Sequence, residues 1–170
     1  SLHIQAKKGG KLKHISYLAK GIGDSREEFL SSLRENLGDK GDILVYNQGF
    51  EKGVLNESQI SFPEFSEWYE NNILPRIKDL WDVFRNFWYY DPKQLGSASI
   101  KYVLPVLSDL KYDDLDIGNG ILASLEYERV TFGDVSDSER LKVRHSLEKY
   151  CKLDTLAEVE IGKRLGEISK

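Results

Sequence analysis

Methionine is absent from this chain, cysteine occurs once, at Cys151, and proline only four times in 170 residues. A single cysteine excludes a disulfide within the chain and points to a reducing compartment, so a cytoplasmic location is expected. No apolar run approaches the ~18 residues a membrane span needs. Nothing near the N-terminus has the layout of a signal peptide, and no membrane partner is expected. Positive charge is also short. The 24 Lys and Arg fall below the 28 Asp and Glu, for a net charge of −4, which excludes blanket attraction to nucleic acid or anionic lipid. Any binding of phosphates has to come from a local cluster of Lys and Arg, or from bound metal ions. A chain that begins at Ser1 and carries no methionine reads as a piece of something longer.

What is present suits a folded domain. Hydrophobic residues make up 40% and aromatics 11%, and 170 residues are enough to bury a real core. There are no repeats and no low-complexity linker, so residues 1–170 are read as a single domain. "LHIQA" and "KLKHISYLA" flank "KKGG" and predict a two-stranded hairpin. "DSREEFLSSLRENLG" predicts a helix, with Asp24 and Ser25 as capping candidates. Phe29, Leu30, Leu33 and Leu37 form its apolar face, and Gly38 ends it. "GDILVYN" predicts a buried strand, Ile43 to Tyr46, followed by a helix from about Phe50 to Glu57. The stretch from Ser61 to Asn86 reads as helical pieces broken at Pro63 and Pro75. "SIKYVLPVL" and "ILASLEYERV" predict two further helices, and a long one runs from about Ser138 to Ile168. Strands first, then one strand among helices, give an α/β or α+β chain with a small mixed sheet flanked by helices. The Ile43–Tyr46 strand is expected to be internal.

Two acids stand out. On the last helix, Leu147, Tyr150, Cys151, Asp154, Ala157, Ile161, Leu165 and Ile168 share one stripe at 100° per residue. Asp154 lies in the middle of it. A carboxylate among aliphatic neighbours needs a metal, a cation or hydrogen-bond donors, or an opening onto a cleft. Tyr150, one turn earlier on the same face, can reach the same place. Either Asp154 is a structural acid held by amides or an Arg, or it belongs to a site. The second acid, Glu51, follows the C-terminal end of the buried strand in "ILVYNQGFEK", the edge where open α/β sheets bind ligands. The alternative there is ordinary helix chemistry, with Asn47 as a cap and Glu51 as a solvated first-turn acid.

Other constellations are weaker. His3, His14 and His145 lack zinc-like spacing, Cys151 has no cysteine partner, and "KKGGKLK" lacks the spacing of a phosphate-binding loop. "WDVFRNFWYY" crowds six aromatics into ten residues. They are either core and loop packing or a platform on which bases stack.

The two acidic stretches together resemble the DnaQ-like 3'-5' exonucleases, the DEDD superfamily. "VYNQGFEKGVL" is similar to the second motif of that group, a strand ending in Asn, then Phe and an acid. "YCKLD" is similar to the tyrosine form of the third motif. Between them, "IKDLWDVFR" and "GSASIKYVLPVL" resemble intervening segments. More closely, YN-x-x-FEK, FR, YY, a Pro, SIK-x-VLP and a late YCK-x-DT are similar, over nearly the whole chain, to a prokaryotic family of domains of unknown function placed in that superfamily.

The resemblance implies a ribonuclease H-like fold and hydrolysis of phosphodiester bonds in DNA or RNA, at a single-stranded end, with Mg²⁺ or Mn²⁺. It assigns metal binding to Glu51 and Asp154, orientation of a water to Tyr150, and support of the motif loop to Asn47 and Phe50. Lys52, Arg85 and Lys101, in or beside the matched motifs, become candidates for phosphate contacts, with plain surface solvation as the alternative. Glu51 departs from the family's more usual Asp. The first motif, Asp-x-Glu on the leading central strand, is absent from this chain. The expectation is therefore an N-terminally truncated, catalytically incomplete exonuclease-like domain that binds the metal weakly and leaves a sheet edge open to self-association. The alternative is a catalytically silent nucleic-acid-binding or interaction module with the same fold.

Overall fold

The structure, a computed structural model, describes residues 1–21 and 23–169. In chain order the described residues form strands β1 (Leu2–Gln5) and β2 (Leu12–Ile15), helix α1 (Arg26–Leu37), strand β3 (Ile43–Val45) and helix α2 (Gln48–Ser61). An irregular helical run follows: a 3₁₀ turn at Pro63–Phe65, the short α3 (Ser66–Trp68), a π turn at Tyr69–Ile73 and a second 3₁₀ turn at Leu74–Arg76. It leads into β4 (Ile77–Asp79), α4 (Trp81–Arg85) and a 3₁₀ turn at Pro92–Gln94. Helices α5 (Ile100–Leu107), α6 (Gly120–Phe132) and α7 (Asp137–Ile168) complete the chain. No helix among the described residues is long and apolar enough to cross a membrane.

The chain divides into two compact units, Ser1–Asp24 with Lys111–Leu156, and Ser25–Leu110 with Ala157–Lys170. In the first, β1 and β2 pair antiparallel from Leu2 opposite Ile15 to Gln5 opposite Leu12. The Gly10 amide closes their turn on the Lys7 carbonyl at 2.8 Å. Arg144 of α7 donates to the Leu18 and Ala19 carbonyls at 3.0 and 2.8 Å, which fixes the segment after the hairpin. Helix α6 starts where the Asn119 side chain accepts the Leu122 amide at 2.9 Å, an ordinary N-cap. The apolar interior of this unit includes Tyr112, Ile117, Val130, Leu147 and Tyr150.

The second unit holds the larger core. Leu30 of α1, Val45 of β3, Leu55 of α2, Ile77 of β4, and Phe65, Trp68, Tyr69 and Ile73 of the irregular run form one buried cluster. Helix α1 has the expected apolar face and ends at Gly38, whose φ of 65° a side chain would resist. Strand β3 runs parallel to β4, with Ile43 opposite Ile77 and Val45 opposite Asp79. Arg76 ties down the loop in front of β3, donating to the carbonyls of Gly38, Lys40 and Gly41 at 2.7, 2.8 and 2.7 Å.

The architecture is mixed α/β and mainly helical, and it differs from the sequence reading in several places. The small sheet is two separate two-stranded ladders, and β3, expected to be internal, has β4 as its partner. Strand β4 escaped notice because three residues two positions after Pro75 carry no alternating pattern; pairing with β3 makes them extended. Helix α2 also runs longer than read, and it starts earlier where Asp79 caps its first amides.

Candidate active site

The end of β3 is built around Asp79. Its Oδ1 accepts the Asn47 amide at 2.9 Å and the Trp81 amide at 3.0 Å, and its Oδ2 accepts the Gln48 amide at 2.9 Å. The Leu80 amide meets the Val45 carbonyl at 2.9 Å. One carboxylate thus caps α2 and closes the turn out of β4, with its charge at the positive end of the helix dipole. Asn47 sits in the left-handed region, φ 74° and ψ 68°, a conformation Asn tolerates better than most residues. It makes no side-chain cap; the capping role weighed for it belongs to Asp79. Sequence reasoning left Asp79 out of the site, although it ends "IKD" in a stretch matched to the superfamily. Its signal was an acid at the end of a strand next to β3, visible only once β4 is recognised.

The first turn of α2 carries Phe50, Glu51 and Lys52. The Phe50 ring is 69% exposed, so it supports no packing. Glu51 is half-buried with Oε2 shielded from solvent. Lys52 accepts the Tyr69 hydroxyl on its backbone carbonyl at 3.2 Å. Tyr46, between strand and helix, donates its hydroxyl to the Ala98 carbonyl at 2.6 Å. Burial, with the Asp79 charge second, pushes its pKa up. Arg85 pairs with Asp82 at 2.7 Å and lies over the Trp81 ring at 4.8 Å; Lys101 is exposed at the start of α5.

In the other unit, α7 brings Tyr150 and Asp154 together one turn apart. The Tyr150 hydroxyl feels the Asp154 charge, and the Tyr112 hydroxyl donates to Asp154 Oδ1 at 2.6 Å. The two tyrosine rings lie 6.2 Å apart. Burial first, then the charge of Asp154, raises the Tyr150 pKa. The Cys151 thiol is likewise raised, chiefly by burial. The stripe read from the sequence is the packed face: Leu147, Tyr150, Ala157 and Ile161 are buried, while Ile168 is exposed. Tyr112 was missed. It lies 42 residues before Asp154, in a loop whose local sequence gives no hint of the contact.

Glu51 therefore belongs to one unit and the Tyr150–Asp154 pair to the other. Among the described residues no group of three or more His, Cys, Asp or Glu side chains is placed to hold a metal ion. Asp79 accepts three backbone amides and Asp154 the Tyr112 hydroxyl.

Comparison with known proteins gives a family and one distant relative. The Uncharacterized protein UU173 of Ureaplasma parvum serovar 3 (strain ATCC 700970) is 29% identical over 136 residues, covering 69% of this chain. The chain spans 19% of that relative's length. No solved structure matches the chain. The model of the family described as Domain of unknown function (DUF2779) matches residues 1–99. That span contains Asn47, Glu51 and Asp79; Tyr150 and Asp154 lie beyond it. More than half of the chain is matched, and the chain belongs to this family.

Proposed function

We propose that the chain is part of a DnaQ-like 3'-5' exonuclease domain acting on single-stranded ends of DNA or RNA with Mg²⁺ or Mn²⁺. The observation that carries the reading is the placement of Tyr150 one turn before Asp154 on α7, with the Asp154 charge acting on the tyrosine hydroxyl. A tyrosine and an acid one turn apart is the arrangement that the resemblance assigns to the third motif. The clamped turn after β3, with Glu51 in the first turn of α2, adds support from the second motif. Asp154 and Glu51 are the carboxylates this chain offers to divalent ions, and the Tyr150 hydroxyl is the group offered to the attacking water. Asn47, in its left-handed conformation, shapes the motif turn. The set is partial, and a strand carrying Asp-x-Glu is the complement the resemblance calls for.

The test uses the longest native polypeptide that contains this chain, with 5'-labelled single strands and Mn²⁺. Stepwise shortening from the 3' end is expected. Asp154→Asn should abolish it, and Tyr150→Phe should weaken it less. No cleavage under any divalent ion, with the acids intact, rejects the enzyme. One observation favours that outcome: Asp154 accepts the Tyr112 hydroxyl at 2.6 Å, as a purely structural acid would. The protein is then a silent nucleic-acid-binding or interaction module of the same family.

A further inference from the structure

The aromatic run "WDVFRNFWYY" divides sharply in the structure. Phe84 is buried at 2% exposure, while Phe87 and Trp88 are 65% and 74% exposed and Tyr90 is also exposed. A loop that needed aromatics only for packing would turn these rings inward, since exposed Trp and Phe keep apolar area in water. The backbone holds them out. Phe87 stands in the left-handed region at φ 57°, an outlier for a bulky side chain. Its amide is tied to the Phe84 carbonyl at 3.1 Å, and the Trp88 and Tyr89 amides both reach the Val83 carbonyl at 2.9 and 3.2 Å. The Phe87 and Tyr90 rings touch, with centroids 5.7 Å apart and planes 57° from parallel. The Tyr90 hydroxyl accepts the Gly96 amide at 3.2 Å, which anchors the far side of the loop next to Leu95, a second left-handed residue at φ 53°. Strained backbone of this kind persists where surroundings over-determine it, often at ligand clamps.

Charge narrows the occupant. From Trp81 to Tyr102 the chain has three cations, Arg85, Lys93 and Lys101, against two acids, Asp82 and Asp91, within a protein of net charge −4, and Asp82 pairs with Arg85. Asp91 is turned onto the backbone, where Oδ1 accepts the Lys93 amide at 2.8 Å in a capping box with Gln94. All three cations are exposed. Exposed rings amid a local excess of positive charge complement bases flanked by phosphates.

We propose that Phe87, Trp88 and Tyr90 form a stacking platform for unpaired bases of a single-stranded polynucleotide, with Lys93 and its neighbouring cations facing the phosphates. The proposal takes its ligand class from the exonuclease reading but needs neither metal nor cleavage.

The experiment measures fluorescence anisotropy of labelled 15-residue oligothymidine and oligouridine strands with the intact chain in EDTA, beside a duplex of equal length. Single strands of one or both sugars should bind more tightly than duplex. Phe87→Ala and Trp88→Leu should each weaken binding by roughly tenfold, and Trp88→Tyr should restore most of the loss. Lys93→Glu should weaken binding most at low salt. These positions are exposed, so circular dichroism should show unchanged folding. Binding unaffected by the ring substitutions overturns the platform, as does absence of single-strand binding. So does a self-association lost in Trp88→Leu while oligonucleotide binding persists, which would make the loop a protein interface. Ring-dependent binding without hydrolysis in the longer protein sinks the exonuclease alone; hydrolysis with ring-independent binding sinks the platform alone.

Discussion

Asp79 shows how much one side chain can fix. Three backbone amides, from Asn47, Gln48 and Trp81, end on its two oxygens. Removing the carboxylate leaves all three without that acceptor at a helix start and a tight turn. Asp79→Ala is expected to cost about 2–3 kcal/mol, the value of a hydrogen bond to a charged group plus part of a lost cap. Asp79→Asn, which keeps one good acceptor, should cost less; urea denaturation measures both. Tyr112→Phe tests the other acid, removing the 2.6 Å hydrogen bond to Asp154 with little change of shape. A loss of about 1–3 kcal/mol is expected by the same measurement. These residues also mark where the sequence was readable. Asp154 stood out because an acid interrupted an aliphatic stripe, a local pattern. Tyr112 and Asp79 act through long-range contacts, and neither sits in a pattern that betrays its partner. The site was legible as motifs, while what holds the motifs in place was not.

Among elements, long periodic helices were plain in the sequence, since α1 and α7 each repeat an apolar stripe over several turns. Strand β4 was not, because three residues shaped by pairing with β3 hold no period of their own. The β1–β2 hairpin, easy to read from its turn, carries a feature that was not. His3 and His14 lie ring on ring, with centroids 4.6 Å apart, and His3 Nδ1 hydrogen-bonds Thr155 Oγ1 of α7 at 2.8 Å. Ser1 Oγ bridges His14 Nε2 and Thr155 Oγ1 at 3.0 and 2.8 Å. Burial, then the charges of His14, Lys152 and the amino terminus, lower the His3 pKa from 6.5 to about 4. His14 is shifted the same way, by burial and then Lys152 and the amino terminus. In the unfolded chain His3 takes its proton near pH 6.5, while the folded hairpin resists it down to about pH 4. Stability from this contact is therefore complete above pH 6.5, falls as pH drops from 6.5 towards 4, and levels off below. Amide exchange in β1 and β2 across that range should show the loss, and His3→Gln should flatten it. The glycines of α7 offer a second test. A Cβ at Gly166 meets nothing within 4 Å, whereas one at Gly162 comes within 2.8 Å of Leu44 Cδ1. Gly166→Ala should stabilise by about 0.5–1 kcal/mol. Gly162→Ala should gain less or lose, because Leu44 must shift.

On the scale of the whole molecule, α7 takes part in both units. Its residues up to Leu156 count with the hairpin and α6, and those from Ala157 with the β3–β4 unit. No glycine, proline or polar linker marks that division, because it falls inside a hydrogen-bonded helix of 32 residues; a sequence reader looking for linkers sees none. The helix is buried on both sides of the division, at Leu147 and Tyr150 before it and at Ala157 and Ile161 after it. The stability of the two should then be coupled through the backbone of α7. Ala157→Pro tests this at the division. The ring removes one amide and clashes with the carbonyl four residues earlier, at a cost of about 3 kcal/mol or more in a helix interior. Ala157→Gly serves as a control that costs about 1 kcal/mol without breaking the ladder. Trp68, Trp81 and Trp88 all lie in the second unit, so tryptophan fluorescence follows its unfolding, while hydrogen exchange in α6 follows the first. With Ala157→Pro both signals should move to lower denaturant together, and with Ala157→Gly both should shift slightly. If the tryptophan transition moves while protection in α6 stays unchanged, the helix does not couple the units and each stands on its own packing.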